Sequence, residues 1–149
     1  MLKEKLREDF KTAMKSGDAF GLGILRMAMS AMSNLQIEKR GKGLPEELTD
    51  EDVMGVLAKE SKKRHDAAAL FTDGGRADLA DNELKEAAFI AKYLPAQMSR
   101  EEIAKAVDGV IGRSTSKDFG AIMKEAMVEL KGKADGKAVG EVIKEKLGQ

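Results

Sequence analysis

Three lysines around one predicted turn are the strongest candidates for chemistry in this sequence. Lys131, Lys133 and Lys137 surround a Gly-Lys-Ala-Asp-Gly-Lys segment between two apolar helical patterns. Asp135 is a favourable N-cap for the second pattern, which begins at Gly136. A helix N-terminus exposes backbone N–H groups without intrahelical partners and therefore favours an anion. The turn is predicted to contact RNA backbone phosphates; the alternative is a capped helix start with solvated lysines. The residues assigned to this contact are Lys131, Lys133, Gly136 and Lys137.

A second basic stretch interrupts the apolar pattern of a long predicted helix. Between the apolar positions of residues 53–57 and those of residues 67–71, about two turns are polar on all sides. Such a segment either projects beyond the body of the protein or faces a wet groove. We predict that this stretch also contacts RNA, the alternative being a solvated charged face. Its basic residues are Lys59, Lys62, Lys63 and Arg64.

Residues for catalysis are scarce. Cysteine is absent, which removes thiol nucleophiles, disulfides and cysteine-based metal sites. His65, the only histidine, lies in the basic stretch without accompanying metal-ligand spacing and is predicted to be solvated. The carboxylates occur mostly in first helical turns or beside Lys and Arg, where capping and ion pairing explain them. The sequence therefore predicts no catalytic residue, no metal site and no cofactor.

The glycine-rich turn does not match a nucleotide-binding P-loop. Three residues separate Gly132 from Gly136 instead of four, and Ala138 stands where Ser or Thr would hold magnesium. The turn also follows a predicted helix rather than a strand. Ser61 and Lys62 are the nearest candidates for a Ser–Lys pair, but adjacent residues on a helix diverge by about 100° and do not face each other.

Seven amphipathic helical patterns position these residues, and no strand pattern competes with them. Ser99 with Glu102 matches a capping box, and Thr49 is a second N-cap. Leu94-Pro95 is the best domain boundary, because Pro disfavours helix for the preceding residue. The sequence predicts an all-α fold, with a four-helix N-terminal domain over 1–94 and a three-helix tail domain over 96–149. The helices are predicted at about 2–15, 18–39, 49–71, 77–93, 100–111, 117–130 and 136–147.

Composition limits the function classes. The chain has 149 residues, with 26 basic and 26 acidic side chains, so a generally basic nucleic-acid binder is excluded while a local patch is not. Five Phe and one Tyr are too few to favour base stacking, so RNA binding is expected to use backbone and shape. No signal peptide or membrane span is recognised, because charges interrupt the N-terminus and the most apolar run, residues 19–32, is short. A cytoplasmic protein without a membrane partner is predicted.

The order of several short motifs resembles a known family. The Gly-Lys-Ala-Asp-Gly-Lys turn before a final amphipathic helix is similar to the tail domain of the B subunit of the tRNA-dependent amidotransferase. The whole chain resembles the small YqeY proteins, which carry that tail as their C-terminal half. The remaining motifs, in family order, are Leu25-Arg-Met27, Ile37-Glu-Lys-Arg40, Leu48-Thr-Asp-Glu-Asp52, Glu60-Ser-Lys-Lys-Arg64, Gly75-Arg-Ala-Asp78 and Tyr93-Leu-Pro95.

The resemblance implies a link to tRNA-dependent amidotransferases, in which the tail helps to engage tRNA. It does not imply catalysis, because phosphorylation occurs in another domain of the B subunit and glutamine hydrolysis in another subunit. The leading hypothesis is a non-catalytic accessory protein whose partner is tRNA or an aminoacyl-tRNA complex. One alternative is an adaptor that docks on another protein. Another is an auxiliary part of a carbon–nitrogen ligase complex with glutamine as amido-N donor. The family name can carry a ligase activity, and we interpret such an activity as belonging to the larger amidotransferase.

Overall fold

The computed structural model describes residues 1–148, and these residues form seven α-helices and no β-strand. The predicted all-α class is therefore confirmed. In chain order the helices are α1 (Leu2–Ser16), α2 (Ala19–Gly41), α3 (Asp50–Asp73), α4 (Ala77–Ala91), α5 (Arg100–Arg113), α6 (Phe119–Leu130) and α7 (Gly136–Leu147). None of the helices in the described range is long and apolar enough to cross a membrane.

Local capping residues decide where most helices begin. The Asp18 carboxylate accepts a hydrogen bond from the Gly21 N–H at 3.0 Å and starts α2. Thr49 forms a capping box with Asp52 at the start of α3, and Ser99 forms one with Glu102 at the start of α5. The structure differs at α6, which begins at Phe119 rather than at about residue 117, because Asp118 is its N-cap.

The chain divides into two compact units, Met1–Leu94 and Pro95–Gln149. In the first, α1 to α4 enclose a core whose fully buried large side chains include Leu6, Leu25, Val53 and Leu57. In the second, α5 to α7 enclose a core of small and branched side chains such as Val107, Ile122, Val139 and Ile143. Residue 149, the predicted end of the tail domain, lies outside the described residues.

Independent folding of residues 1–94 and 96–149 remains a prediction, and limited proteolysis tests it. Ala96 and Gln97 are exposed and outside any helix, so a protease is expected to cut there before it cuts either unit. The first fragments, identified by mass spectrometry, should separate at residues 96–98. Early cleavage within residues 19–35, which lie in α2, would contradict the boundary.

Candidate nucleic-acid interface

The turn between α6 and α7 is held in place by backbone hydrogen bonds and one buried methyl group. The N–H groups of Lys133 and Ala134 donate to the Leu130 carbonyl at 2.9 and 3.0 Å. Gly132 has φ +79°, a left-handed conformation that L side chains rarely adopt. Ala134 is buried in the core, and the Lys133 carbonyl accepts a hydrogen bond from the Met98 N–H at 2.9 Å. The backbone from which the lysines extend is therefore fixed.

Side-chain oxygens accept hydrogen bonds from the backbone at the N-termini of five of the seven described helices. At α1 the acceptor is Asp50, at α2 Asp18 and at α6 Asp118. The capping boxes supply oxygens at α3 and α5. At α4 and α7 the N-cap residues, Arg76 and Asp135, make no side-chain cap hydrogen bond. The prediction of Asp135 as an N-cap is thus correct in position, but its carboxylate leaves the first-turn N–H groups open.

Two of the predicted lysines precede this open helix end in the turn, and the third lies in its first turn. Lys131, Lys133 and Lys137 are all exposed and form no ion pair within the described residues. Gly136 is half-buried, and a Cβ added there would lie 3.9 Å from the Met127 methyl group, an ordinary contact. Packing therefore does not require glycine at this position, but its lack of a side chain leaves the backbone accessible to a ligand. The four predicted residues lie within residues 131–137, at the turn and the start of α7.

The basic stretch of α3 is largely occupied by internal ion pairs. Lys62 Nζ lies 2.7 Å from Asp66 Oδ2, and Lys63 Nζ lies 2.8 Å from Glu60 Oε1. Lys59 is exposed and forms no ion pair within residues 1–148. Lys59, Lys62 and Lys63 thus face solvent, which both the predicted RNA contact and a solvated charged surface allow.

Arg64 has a different environment from its basic neighbours. It is only 5% exposed, and its Nη1 donates to the Glu60 carbonyl at 2.7 Å and to Glu60 Oε2 at 3.0 Å. Its Nε donates to Glu86 Oε2 on α4 at 3.1 Å, and its Nη2 contacts the Met27 sulfur on α2. The guanidinium joins three helices and has little access to solvent, so Arg64, unlike its basic neighbours, is not positioned to contact RNA in this fold.

The partner of Arg64 is also buried. Burial alone would raise the pKa of Glu60, but the hydrogen bonds from Lys63 and Arg64 outweigh burial and hold that pKa below its ordinary value. Glu60 is therefore ionised at neutral pH inside the α3–α4 contact. This buried ion cluster accounts for part of the polar stretch that interrupts the apolar pattern of α3.

A surface group of aromatic rings was not predicted from the sequence. Phe20 and Phe89 lie edge to face with ring centroids 6.1 Å apart, and Tyr93 lies 6.1 Å from Phe89. Lys92 stands over Phe89 and Lys5 over Tyr93, at 5.1 and 5.5 Å from the ring centroids. The Phe89–Tyr93 spacing of four residues indicates a shared helix face, but the addition of Phe20 depends on how α2 packs against α4.

Metal-binding chemistry has no candidate ligand set in the described residues. No group of three or more His, Asp or Glu side chains within residues 1–148 has a geometry that could hold a metal ion. His65 is exposed on α3, beside the ion pairs rather than within a cleft. Ser61, on the same helix, is half-buried.

Comparisons with known proteins connect the whole chain to one family. A family model described as YqeY-like protein matches residues 3–147. Two curated relatives are each named altered inheritance of mitochondria protein 41, mitochondrial. The relative from Candida glabrata is 30% identical over 89 residues, 60% of this chain and 47% of its own length. The relative from Kluyveromyces lactis is 33% identical over 101 residues, 66% of this chain and 52% of its own length. The matches thus span about half of each relative.

These relatives overturn the predicted location. The sequence was expected to belong to a cytoplasmic protein, but both relatives are named as mitochondrial proteins. The cytoplasmic prediction is therefore wrong. The cytoplasmic prediction rested on the lack of cysteine, which shows only that the fold does not depend on disulfides. A lack of disulfides does not distinguish the cytoplasm from the mitochondrion.

Proposed function

Since the chain belongs to the YqeY-like protein family, we propose that it is a non-catalytic accessory protein that contacts the phosphate backbone of tRNA. The family is related to the C-terminal domain of the amidotransferase B subunit, which supports tRNA or an aminoacyl-tRNA complex as the partner. The contact is assigned to Lys131, Lys133, Gly136 and Lys137 at the start of α7. In this role the chain positions RNA and performs no bond-making step.

The observation that carries the proposal is that lysines, rather than an acidic cap, lie at the start of α7. Five other N-termini in the described chain are bonded to a side-chain oxygen, and α4, which has no side-chain cap, has the acidic Asp78 in its first turn. The start of α7 has neither feature, and Lys131, Lys133 and Lys137 lie beside it in the sequence. A positive charge in a first helical turn opposes the helix dipole, so Lys137 does not stabilise α7 electrostatically. Even with Asp135 included, the turn carries a net charge of about +2 and three open backbone donors, the arrangement that a phosphate group favours.

A second contact region is proposed on α3. Lys59 is exposed without an ion pair in the described residues, and Lys62 pairs with the exposed Asp66. Exposed pairs of this kind are worth about 0–1 kcal/mol, so Lys62 can exchange its carboxylate for a phosphate at little cost. Lys63 is exposed but pairs with the buried Glu60, so the same exchange costs more there. The α3 lysines are therefore proposed to make separate phosphate contacts, with a smaller effect than the lysines at α7.

An adaptor that docks on another protein is the second candidate, because several large apolar side chains are exposed. Val128 on α6 is 80% exposed and Leu70 on α3 is 72% exposed. Isolated exposed apolar residues are common on soluble proteins, so this observation is less specific than the arrangement at α7. The third candidate, an auxiliary part of a carbon–nitrogen ligase complex, has only the family relationship in its favour.

A salt titration of tRNA binding separates the first two candidates. Phosphate contacts release counterions, so the affinity of the full-length chain for tRNA should fall steeply as salt rises. An apolar protein interface shows no such dependence. Strong salt dependence with tRNA supports the proposal. The absence of tRNA binding at low salt, together with salt-insensitive capture of a protein partner, would favour the adaptor.

The purified chain is expected to lack ammonia release from glutamine, ATP hydrolysis and conversion of Glu-tRNA to Gln-tRNA. Those reactions need an activated nucleophile and a phosphate-binding site, which the turn from Gly132 to Lys137 does not provide. The assay incubates the full-length chain with glutamine, ATP, magnesium and misacylated tRNA. Turnover above background that disappears in a Ser61→Ala variant would show that the non-catalytic assignment is wrong.

A further inference from the structure

The aromatic group on the unit Met1–Leu94 has the chemistry of a stacking surface. Phe20 lies in the first turn of α2 and is 45% exposed, while Phe89 and Tyr93 are half-buried beside it. Lys5 and Lys92 stand over the rings and form no ion pair within the described residues. Rings with exposed area and lysines available to phosphates therefore occur together on one surface, which we call the aromatic patch: Lys5, Phe20, Phe89, Lys92 and Tyr93.

Packing beneath the aromatic patch holds its rings in place. A Cβ added at the buried Gly21 would lie 3.2 Å from a ring carbon of Phe89, so the α2 backbone approaches that ring closely. The Tyr93 hydroxyl donates to Asp9 Oδ2 at 2.6 Å. Burial, followed by the hydrogen bond and charge of Asp9, raises the pKa of Tyr93, so the phenol stays neutral. Asp9, the carboxylate that contacts the patch, is thereby engaged with a hydrogen-bond donor.

We propose that the aromatic patch binds unpaired nucleobases of single-stranded RNA, with a base stacked on Phe20 and the backbone phosphates near Lys5 and Lys92. Every base has a π-face, so such a site needs no sequence-specific hydrogen bonds, and an adjacent cation attracts the backbone. The inference rests on the proposed association with RNA but concerns a different unit and a different chemistry from the lysines at α7. It assigns recognition of unpaired bases in addition to backbone contact.

The test measures binding of the full-length chain to a fluorescently labelled single-stranded oligouridylate of about 12 nucleotides, a length within the range of known single-strand sites. Phe20→Ala should weaken binding about fivefold or more, since the stacking of one base contributes on that scale. Phe20→Tyr keeps a ring and should retain binding. Leu70→Ala is the matched control, because Leu70 is also an exposed apolar residue of this unit, and it should change binding less than twofold.

The outcomes distinguish this inference from the proposed contact at α7. An unchanged affinity in Phe20→Ala, or an equal loss in Leu70→Ala, would overturn the aromatic patch while leaving salt-dependent tRNA binding intact. A loss in Phe20→Ala that Phe20→Tyr does not share supports stacking, provided that thermal unfolding shows both variants folded. If Phe20→Ala is unfolded, the comparison is between Phe20→Tyr and Phe20→Leu, which lacks a ring. Binding that Phe20→Tyr retains and Phe20→Leu loses supports stacking. Equal binding by Phe20→Tyr and Phe20→Leu contradicts stacking. Binding to phosphatidylserine vesicles in place of the oligonucleotide would assign the patch to a lipid surface and refute the proposal.

Discussion

Replacing Arg64 with Met should destabilise the unit Met1–Leu94 by about 3 kcal/mol, because loss of one partner from a buried ion cluster leaves the Glu60 carboxylate with only the exposed Lys63 to offset its charge. The Arg64 guanidinium donates to Glu60 at 3.0 Å and to Glu86 at 3.1 Å, and it also satisfies the Glu60 carbonyl. Met retains most of the aliphatic volume beside Met27, so the measured change reports mainly on charge and hydrogen bonding. Urea unfolding followed by circular dichroism supplies the free energies of unfolding.

Two further variants determine whether the ion cluster is responsible. Lys62→Met removes the same charge from an exposed pair on the same helix and should change the free energy of unfolding by about 0.5 kcal/mol or less. Glu60→Gln in the Arg64→Met background removes the buried charge and should recover part of the loss. An Arg64→Met variant as stable as the wild type would show that the cluster contributes nothing to the packing of α3.

The effect of Arg64→Met should depend on pH in a defined direction. The pKa of Glu60 is lowered in the folded wild type, so its favourable contribution is complete above the unfolded pKa and declines as pH falls through the folded value. In the variant, acid instead relieves the less well compensated Glu60 carboxylate by protonating it. The difference in stability between wild type and variant should therefore narrow as the pH falls through about 4.5, the ordinary pKa of a Glu side chain, toward the lower pKa of Glu60 in the folded wild type.

Local signals made most of the helix boundaries predictable. Capping residues such as Thr49 and Ser99 act within three residues of themselves, so their hydrogen bonds follow from the sequence alone. The turn at Gly132 is likewise local, because its positive φ follows from the need to end α6 and start α7 over a short distance. The four predicted residues at that turn came together for the same reason.

Contacts between helices could not be predicted in this way. The sequence pattern predicts Arg64 as one more surface charge in the basic stretch. It is buried because Glu86 on α4 and Met27 on α2 pack against it. The aromatic patch has the same origin, because Phe20 meets Phe89 only through the packing of α2 on α4. The expectation that base stacking is unimportant rested on the small number of rings and did not consider where the fold places them.

The second large effect is expected at the start of α7. Lys131, Lys133 and Lys137 are exposed without ion pairs in the described residues, so substituting all three with Ala removes no structural contact of their charges. Loss of the Lys137 charge from the first turn of α7 is neutral or favourable for stability, whereas Lys131 is the C-cap of α6, where a positive charge contributes about 0.3–1 kcal/mol. Thermal denaturation of the full-length variant should therefore show that the unit Pro95–Gln149 remains folded, so that a loss of RNA affinity reports on the lost phosphate contacts.

The matched control removes three lysines elsewhere. Lys85, Lys105 and Lys124 are exposed and without ion pairs in the described part of the chain, and they lie outside the turn between α6 and α7. Their simultaneous replacement with Ala changes the net charge by the same amount. This control therefore separates loss of local phosphate contacts from a general change in the charge of the protein.

The most direct measurement of the central claim is the slope of log affinity against log salt concentration for tRNA binding by the wild type, the α7 triple variant and the control variant. If each lysine at α7 neutralises one phosphate, the α7 variant should bind more weakly, with a slope flatter by about 2–3 units, while the control variant keeps a slope close to that of the wild type. A wild-type slope retained in the α7 variant would contradict phosphate binding by Lys131, Lys133 and Lys137.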